Sequence, residues 1–280
     1  MSVKDVTVKI LALTFFISVS SCSIENKIAS ESGKYIDGAA VLLLFPDDIF
    51  VDISKDFQLP DSLDEDECYY ASIDSSFFLK NIDAEDFKDK FEKEIISLYR
   101  DYGFRVYLKD SLSSFLKLDT TAFVVEFTQF QIEEFWKPYY YEEEMPDGYT
   151  YHQEFTLNAL GFDVWITVSK LNDTTGTNSL IYSEESIADD IDGMFVMNNI
   201  TGEVNFVYNY SPLKSGDADD LTEKAAIKIS LDIIDFIANS YIEDKMLRLR
   251  GIYPERFWRY NPGREKLTPV YEKSGYIILE

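Results

Sequence analysis

The 280-residue chain is long enough for one large domain, and its 46% apolar and 15% aromatic content, with only 12 glycines and 8 prolines, excludes the fibrous and disordered classes. A formal charge of −25, from 51 acids and 26 bases, argues against a nucleic-acid-binding body, because phosphate backbones require clustered Lys and Arg. One His and two Cys exclude most zinc sites and any disulfide framework. The chain opens on Lys4 and Lys9, a largely apolar run from Ile10 to Val19, and the small residues Ser20 and Ser21 before Cys22. A run of about ten residues at about 1.5 Å each falls short of a hydrocarbon core of about 30 Å. A cleaved secretory signal over residues 1–21 is therefore expected rather than a retained span.

Val19-Ser20-Ser21-Cys22 resembles the lipobox of bacterial lipoproteins. The resemblance implies that Cys22 takes diacylglycerol and becomes the new N-terminus, and two acyl chains hold a protein on a membrane stably. Residues 22–38, with Ser30, Ser32 and Gly33, read as a flexible lipidated tether. Surface-exported lipoproteins of Bacteroidota are similar but carry an acidic cluster just after the Cys. Here only Glu25 fits, which points to the periplasmic side of the outer membrane. Cys68, after the acidic stretch 61–67, reads as a plain buried or half-buried thiol with no neighbouring base to activate it.

Further along, Ala39 to Phe45 is a continuous apolar run that predicts a central strand. Asp83 is placed to cap a helix over about 84–102, with Phe87, Phe91, Ile95, Leu98 and Tyr102 on one face and Gly103 at the stop. A strand over 104–108 and a short helix from Asp110 to about Leu118 follow. Alternation then predicts strands over 122–132 and 162–169, a polar turn over 172–178 and a strand from Leu180. Val204 to Tyr208 adds an edge strand or a small excursion. From Leu221 to about Leu249 the period returns to that of a helix, capped by Asp220 and closed by Arg248, Arg250 and Gly251. The expected fold class is α+β: a mixed, largely antiparallel sheet covered by two main helices, in a single domain over 39–250, followed by a basic, aromatic tail over 251–280.

This order of elements behind a lipobox resembles small α/β envelope lipoproteins, such as the auxiliary lipoproteins of ABC-type lipid transporters and the lipoprotein activators of penicillin-binding proteins. It implies a non-catalytic adaptor that binds an envelope protein.

The residues themselves name no reaction. His152 has no Ser or Cys motif beside it, and the acid runs at 61–67, 142–144, 189–192 and 217–220 lack the spacing of a calcium loop, so no catalytic, metal or cofactor site is expected. Two segments are candidates for binding. Residues 133–155 read as a long loop in which Trp136, Tyr139, Tyr140 and Tyr141 form either an exposed platform for a partner or glycan, or a lid folded back on the sheet. In the tail, residues 245–280 hold eight bases and four acids, and Arg256, Trp258 and Arg259 interleave cations with rings. That pattern suits anionic headgroups or an acidic partner; the competing reading is a tail docked on the acidic body of its own domain.

Overall fold

The computed structural model describes residues 24–55, 60, 62–171, 179–214, 216–271, 273 and 275–279. The signal segment, Cys22 and the turn at 172–178 lie outside them. The fold is the expected mixed α/β one. β1 (Ala40–Leu44), β2 (Phe50–Ile53), β3 (Arg105–Tyr107), β4 (Ala122–Glu144), β5 (Thr150–Lys170), β6 (Ser179–Ala188) and β11 (Tyr276–Leu279) form one sheet in the order β11-β6-β5-β4-β1-β3, with β2 also on β4. Pairing is antiparallel from β11 through β4, and parallel where β1 and β2 lie end to end along β4. The helices are α1 (24–36), α2 (Glu65–Ser75), α3 (Ala84–Asp101), the single turn α4 (Leu112–Phe115) and α5 (Asp217–Arg250).

The apolar rhythm explains the packing. In α3, Asp83 accepts from the N–H groups of Glu85 and Asp86, and Phe87, Phe91, Ile95 and Tyr99 are buried at every fourth position. Tyr99 takes the inward place expected for Leu98 and Tyr102, which are half-buried. Phe91 lies 4.8–6.2 Å, centroid to centroid, from Phe127, Phe130 and Phe162. Phe127 and Phe130 both face the core although three residues apart, because the register shifts between Phe127 and Gln129, as an extra bulge residue requires. α5 lays Ala226, Ile229, Ile233 and Ile237 on the same core.

Three expectations are corrected. The tether is a helix from residue 24, because Ile24, Ile28, Ser32 and Ile36 recur at a spacing of four and the last three are buried. α5 begins at Asp217 rather than under Asp220, so the acid run 217–220 forms its first turn, where the macrodipole favours carboxylates. The domain does not end at 250: β9 (Phe257–Asn261) and β10 (Lys266–Val270) form a hairpin on α5, and β11 extends the main sheet. Gly251 closes α5 at φ 68°, the left-handed conformation that its sequence position predicts.

The tail is bonded to the body through carboxylates. Trp258 Nε1 donates to Glu25 of α1 at 3.0 Å, and Tyr260 N donates to Asp235 Oδ1 at 2.6 Å. Burial pushes the Asp235 carboxyl up to about 7; Asp232 adds to the rise, and the Tyr260 N–H and Arg259 oppose it. The unfolded chain loses this proton near pH 4. The contribution of Asp235 to native stability therefore falls as pH rises from about 4 to 7 and is level above that. Asp235→Asn is expected to be more stable than the parent by up to about 4 kcal/mol at pH 8 and by only about 1.5 kcal/mol at pH 5. Urea unfolding at the two pH values measures it, and a gap that does not change with pH would contradict the assignment.

Candidate functional site

β4 and β5 run far beyond the sheet. Their outer parts, paired in continuous register from Phe135↔Ala159 to Glu144↔Thr150, form a projecting hairpin where a loop was expected. β7 (Asp190–Met197) and β8 (Val204–Ser211) make a second hairpin, separate from the main sheet. The two pack through rings: Tyr141 lies 5.9 Å from Phe195 and 5.2 Å from Phe206, Tyr151 5.7 Å from Phe195, and Phe155 5.0 Å from Tyr208. Gly193 permits this approach, since a Cβ there would stand 2.5 Å from Phe206 Cζ and 2.9 Å from Tyr208 Cβ. Glu143 accepts from Phe195 N and ties the hairpins together.

Strand alternation divides the four expected rings. Tyr139 and Tyr141 point toward the second hairpin and are half-buried, whereas Trp136 and Tyr140 face the other way, Tyr140 at 69% exposure. They do not form one platform. His152 is exposed opposite Glu142.

At the root of the arm is a buried polar chain that sequence reasoning missed. Glu134, fully buried on β4, accepts from Lys55 Nζ at 2.6 Å and from the backbone N–H groups of Phe77, Phe78 and Leu79 at 2.8–3.3 Å. Burial works against its charge, but the ammonium and the backbone donors prevail and hold the carboxyl below its ordinary range. Lys55 also donates to Asn158 Oδ1 at 3.0 Å and lies 4.3 Å from the centroid of the Trp136 ring. Asn158 in turn gives its side-chain and backbone N–H groups to Asp189 at 2.8 and 3.0 Å, and Tyr210 O–H and Leu213 N donate to the same carboxylate. Asp189 opens the acid run 189–192. It is buried, and although desolvation opposes ionisation, these donors lower its pKa. Of the other acid runs, Asp64 and Glu67 form the capping box of α2. Among the described residues no group of His, Cys, Asp and Glu is arranged to hold a metal ion.

The outward face of the second hairpin carries a small apolar patch among the exposed polar residues Asp192, Asn205 and Asn209. Met194 and Val207 are direct cross-strand neighbours, each 58% exposed, with Val196 exposed beside them and Ile200 at the turn. Residues 138–158 and 189–211 carry nine acids and no Lys or Arg. On the open face of the sheet, a cleft of about 450 Å³ holds Glu133, Asp163 and Glu184 around Tyr182, whose O–H lies 2.8 Å from Asp163 and 2.5 Å from Glu184. Of the tail candidates, Trp258 is 3% exposed, Arg256 stacks 5.1 Å from it and donates to Asn26, and Arg259 is half-buried on β9. The docked-tail reading is the one the geometry follows.

Glu134→Ala would leave the Lys55 ammonium and three N–H groups without their acceptor, at an expected cost of about 3–5 kcal/mol by denaturant unfolding. Lys55→Met, which leaves the carboxylate its backbone donors, should cost less; the reverse order would refute the dominant role given to Glu134. Gly193→Ala should cost about 1–3 kcal/mol and speed amide exchange in β7 and β8 while α3 stays protected. Comparison of the chain with family models, with curated proteins and with solved structures returns no match.

Proposed function

We propose that this is an envelope lipoprotein, anchored through Cys22 on the periplasmic side of the outer membrane, that works as an adaptor by binding a protein partner through its double-hairpin arm. The observation that carries the reading is the outward face of β7 and β8, where Met194, Val196 and Val207 stand together in solvent. Exposed apolar side chains clustered on a projecting element mark association sites, and here they stand beside the polar Asn205. The acidic surround gives the partner a chemistry: apolar side chains flanked by Lys or Arg, with the charges setting approach and register. The anchor would raise the local concentration of the arm at the membrane, and the lipobox resemblance supports it.

Affinity capture from native membranes tests both parts. A partner recovered with the parent chain should be lost with the pair Met194→Asp and Val207→Asp, which point away from all packing. Burying two such side chains contributes about 1.5–3 kcal/mol each, so affinity should fall at least about 100-fold. Retention of the same partner by the pair would refute the arm as the binding element. Mass analysis of the N-terminal peptide should show a diacylated Cys22; an intact Met1 or an unmodified sulfur would remove the anchor.

A further inference from the structure

For a chain of charge −25, one pole of the molecule is unlike the rest. Residues 245–256 hold the four cations Lys245, Arg248, Arg250 and Arg256 against Glu255 alone. Asp244 and Glu243 flank them one turn back, and Asp244 pairs with Arg248 at 2.7 Å. In the same stretch Leu249 and Tyr253 are 64% and 67% exposed, with Ile252 exposed between them. α1 starts at this pole. Ile28 and Ala29 pack with Ile242, Met246 and Trp258, Glu25 accepts from Glu255 N, and Asn26 accepts from Arg256. The start of α1 therefore lies against residues 255–258, close in sequence to Ile252 and Tyr253, and the chain N-terminal to it is joined to the body at this pole.

We propose that this pole is a membrane-contact face for an anionic bilayer: Leu249, Ile252 and Tyr253 enter the headgroup region, while Lys245, Arg248 and Arg250 meet lipid phosphates. Two observations select a lipid surface. Lys245, Arg248 and Arg250 at the end of α5 are attracted to an anionic bilayer that repels the acidic arm, so the field favours an orientation with this pole inward. The N-terminal segment enters the fold at the same place, so an acyl anchor and the contact face act on one side. An aromatic ring and two aliphatic side chains among cations match the interfacial depth, where apolar bodies sink and charged tips stay wet. The inference rests on the reading that the chain works at a membrane, and not on the acylation of Cys22.

The test is co-sedimentation of the full chain with phosphatidylcholine vesicles, with and without one quarter phosphatidylglycerol, and amide hydrogen exchange on the bound protein. Binding should rise with phosphatidylglycerol, and exchange should slow at 249–253 but not at the arm turn 198–202. The pair Ile252→Ser and Tyr253→Ser should lose that protection and weaken binding at least about tenfold. Arg250→Glu should weaken it about fivefold or more, and only on the anionic vesicles. All three side chains are exposed, and an unchanged unfolding transition verifies that the fold is kept. Equal binding to both compositions, or protection elsewhere, overturns the proposal. So does a concentration-dependent dimer without vesicles that the same substitutions abolish, which would assign the face to a second copy. The anchor is read separately: a diacylated chain lacking the pattern keeps the anchor and loses this face, whereas an unmodified chain showing it keeps the face.

Discussion

The ion pair between Glu134 and Lys55 is the constraint on which the rest of the molecule turns. A carboxylate with no solvent contact is tolerated only when its lone pairs are filled, and Glu134 fills them with one ammonium and three backbone N–H groups. Those N–H groups belong to residues 77–79, the segment leading into α3, so one side chain ties that segment to β4. Lys55 follows β2 directly, and its second bond reaches Asn158 on β5. Asn158 passes the constraint to Asp189, where β6 ends and β7 departs. Five separate parts of the chain are thereby held in one fixed arrangement at the root of the arm.

That arrangement lets a thin structure project. An isolated two-stranded hairpin is marginal in water, and the outer parts of β4 and β5 gain stability by stacking Tyr141, Tyr151 and Phe155 against Phe195, Phe206 and Tyr208. Aromatic pairs at these tilted geometries contribute beyond their buried area, about 0.5–1.5 kcal/mol each. Much of the aromatic content thus makes a second, small core outside the main one. The cost of the design is an outward face on which Met194 and Val207 are each 58% exposed, and the proposed binding role rests on that face.

The two ends of the chain are joined by buried carboxylates of another kind. Glu25 anchors Trp258, Asp235 holds Tyr260, and Asp232 accepts from Ser183 and Lys228, which also donates to the Gly275 carbonyl. The positive excess of residues 245–280 is thereby partly spent on the protein's own acids. Of what is left over, Lys245, Arg248 and Arg250 stand together at the end of α5, close to where α1 begins.

Local chemistry accounts for what could be read from residues alone. The fourfold spacing of Phe87, Phe91 and Ile95 behind Asp83, the alternation of Phe162, Val164, Ile166 and Val168, and the Arg-Gly end of α5 each follow from contacts within a few residues, so element type and fold class were legible. The spacing of Ile24, Ile28, Ser32 and Ile36 carried α1 as well, hidden by the small polar residues around it. The rest depends on partners far away in sequence. Residues 135–144 are a strand because residues 190–211 supply the rings that cover them; Trp258 is buried because Glu25, 233 residues earlier, accepts its N–H; and Glu134 is indistinguishable from 50 other acids until the backbone of 77–79 closes over it. Composition and periodicity determined which segments fold and how, whereas only the tertiary structure decided which aromatic and charged groups are spent on the protein itself and which remain for others, because a side chain's availability is fixed by distant packing and not by its neighbours in the chain.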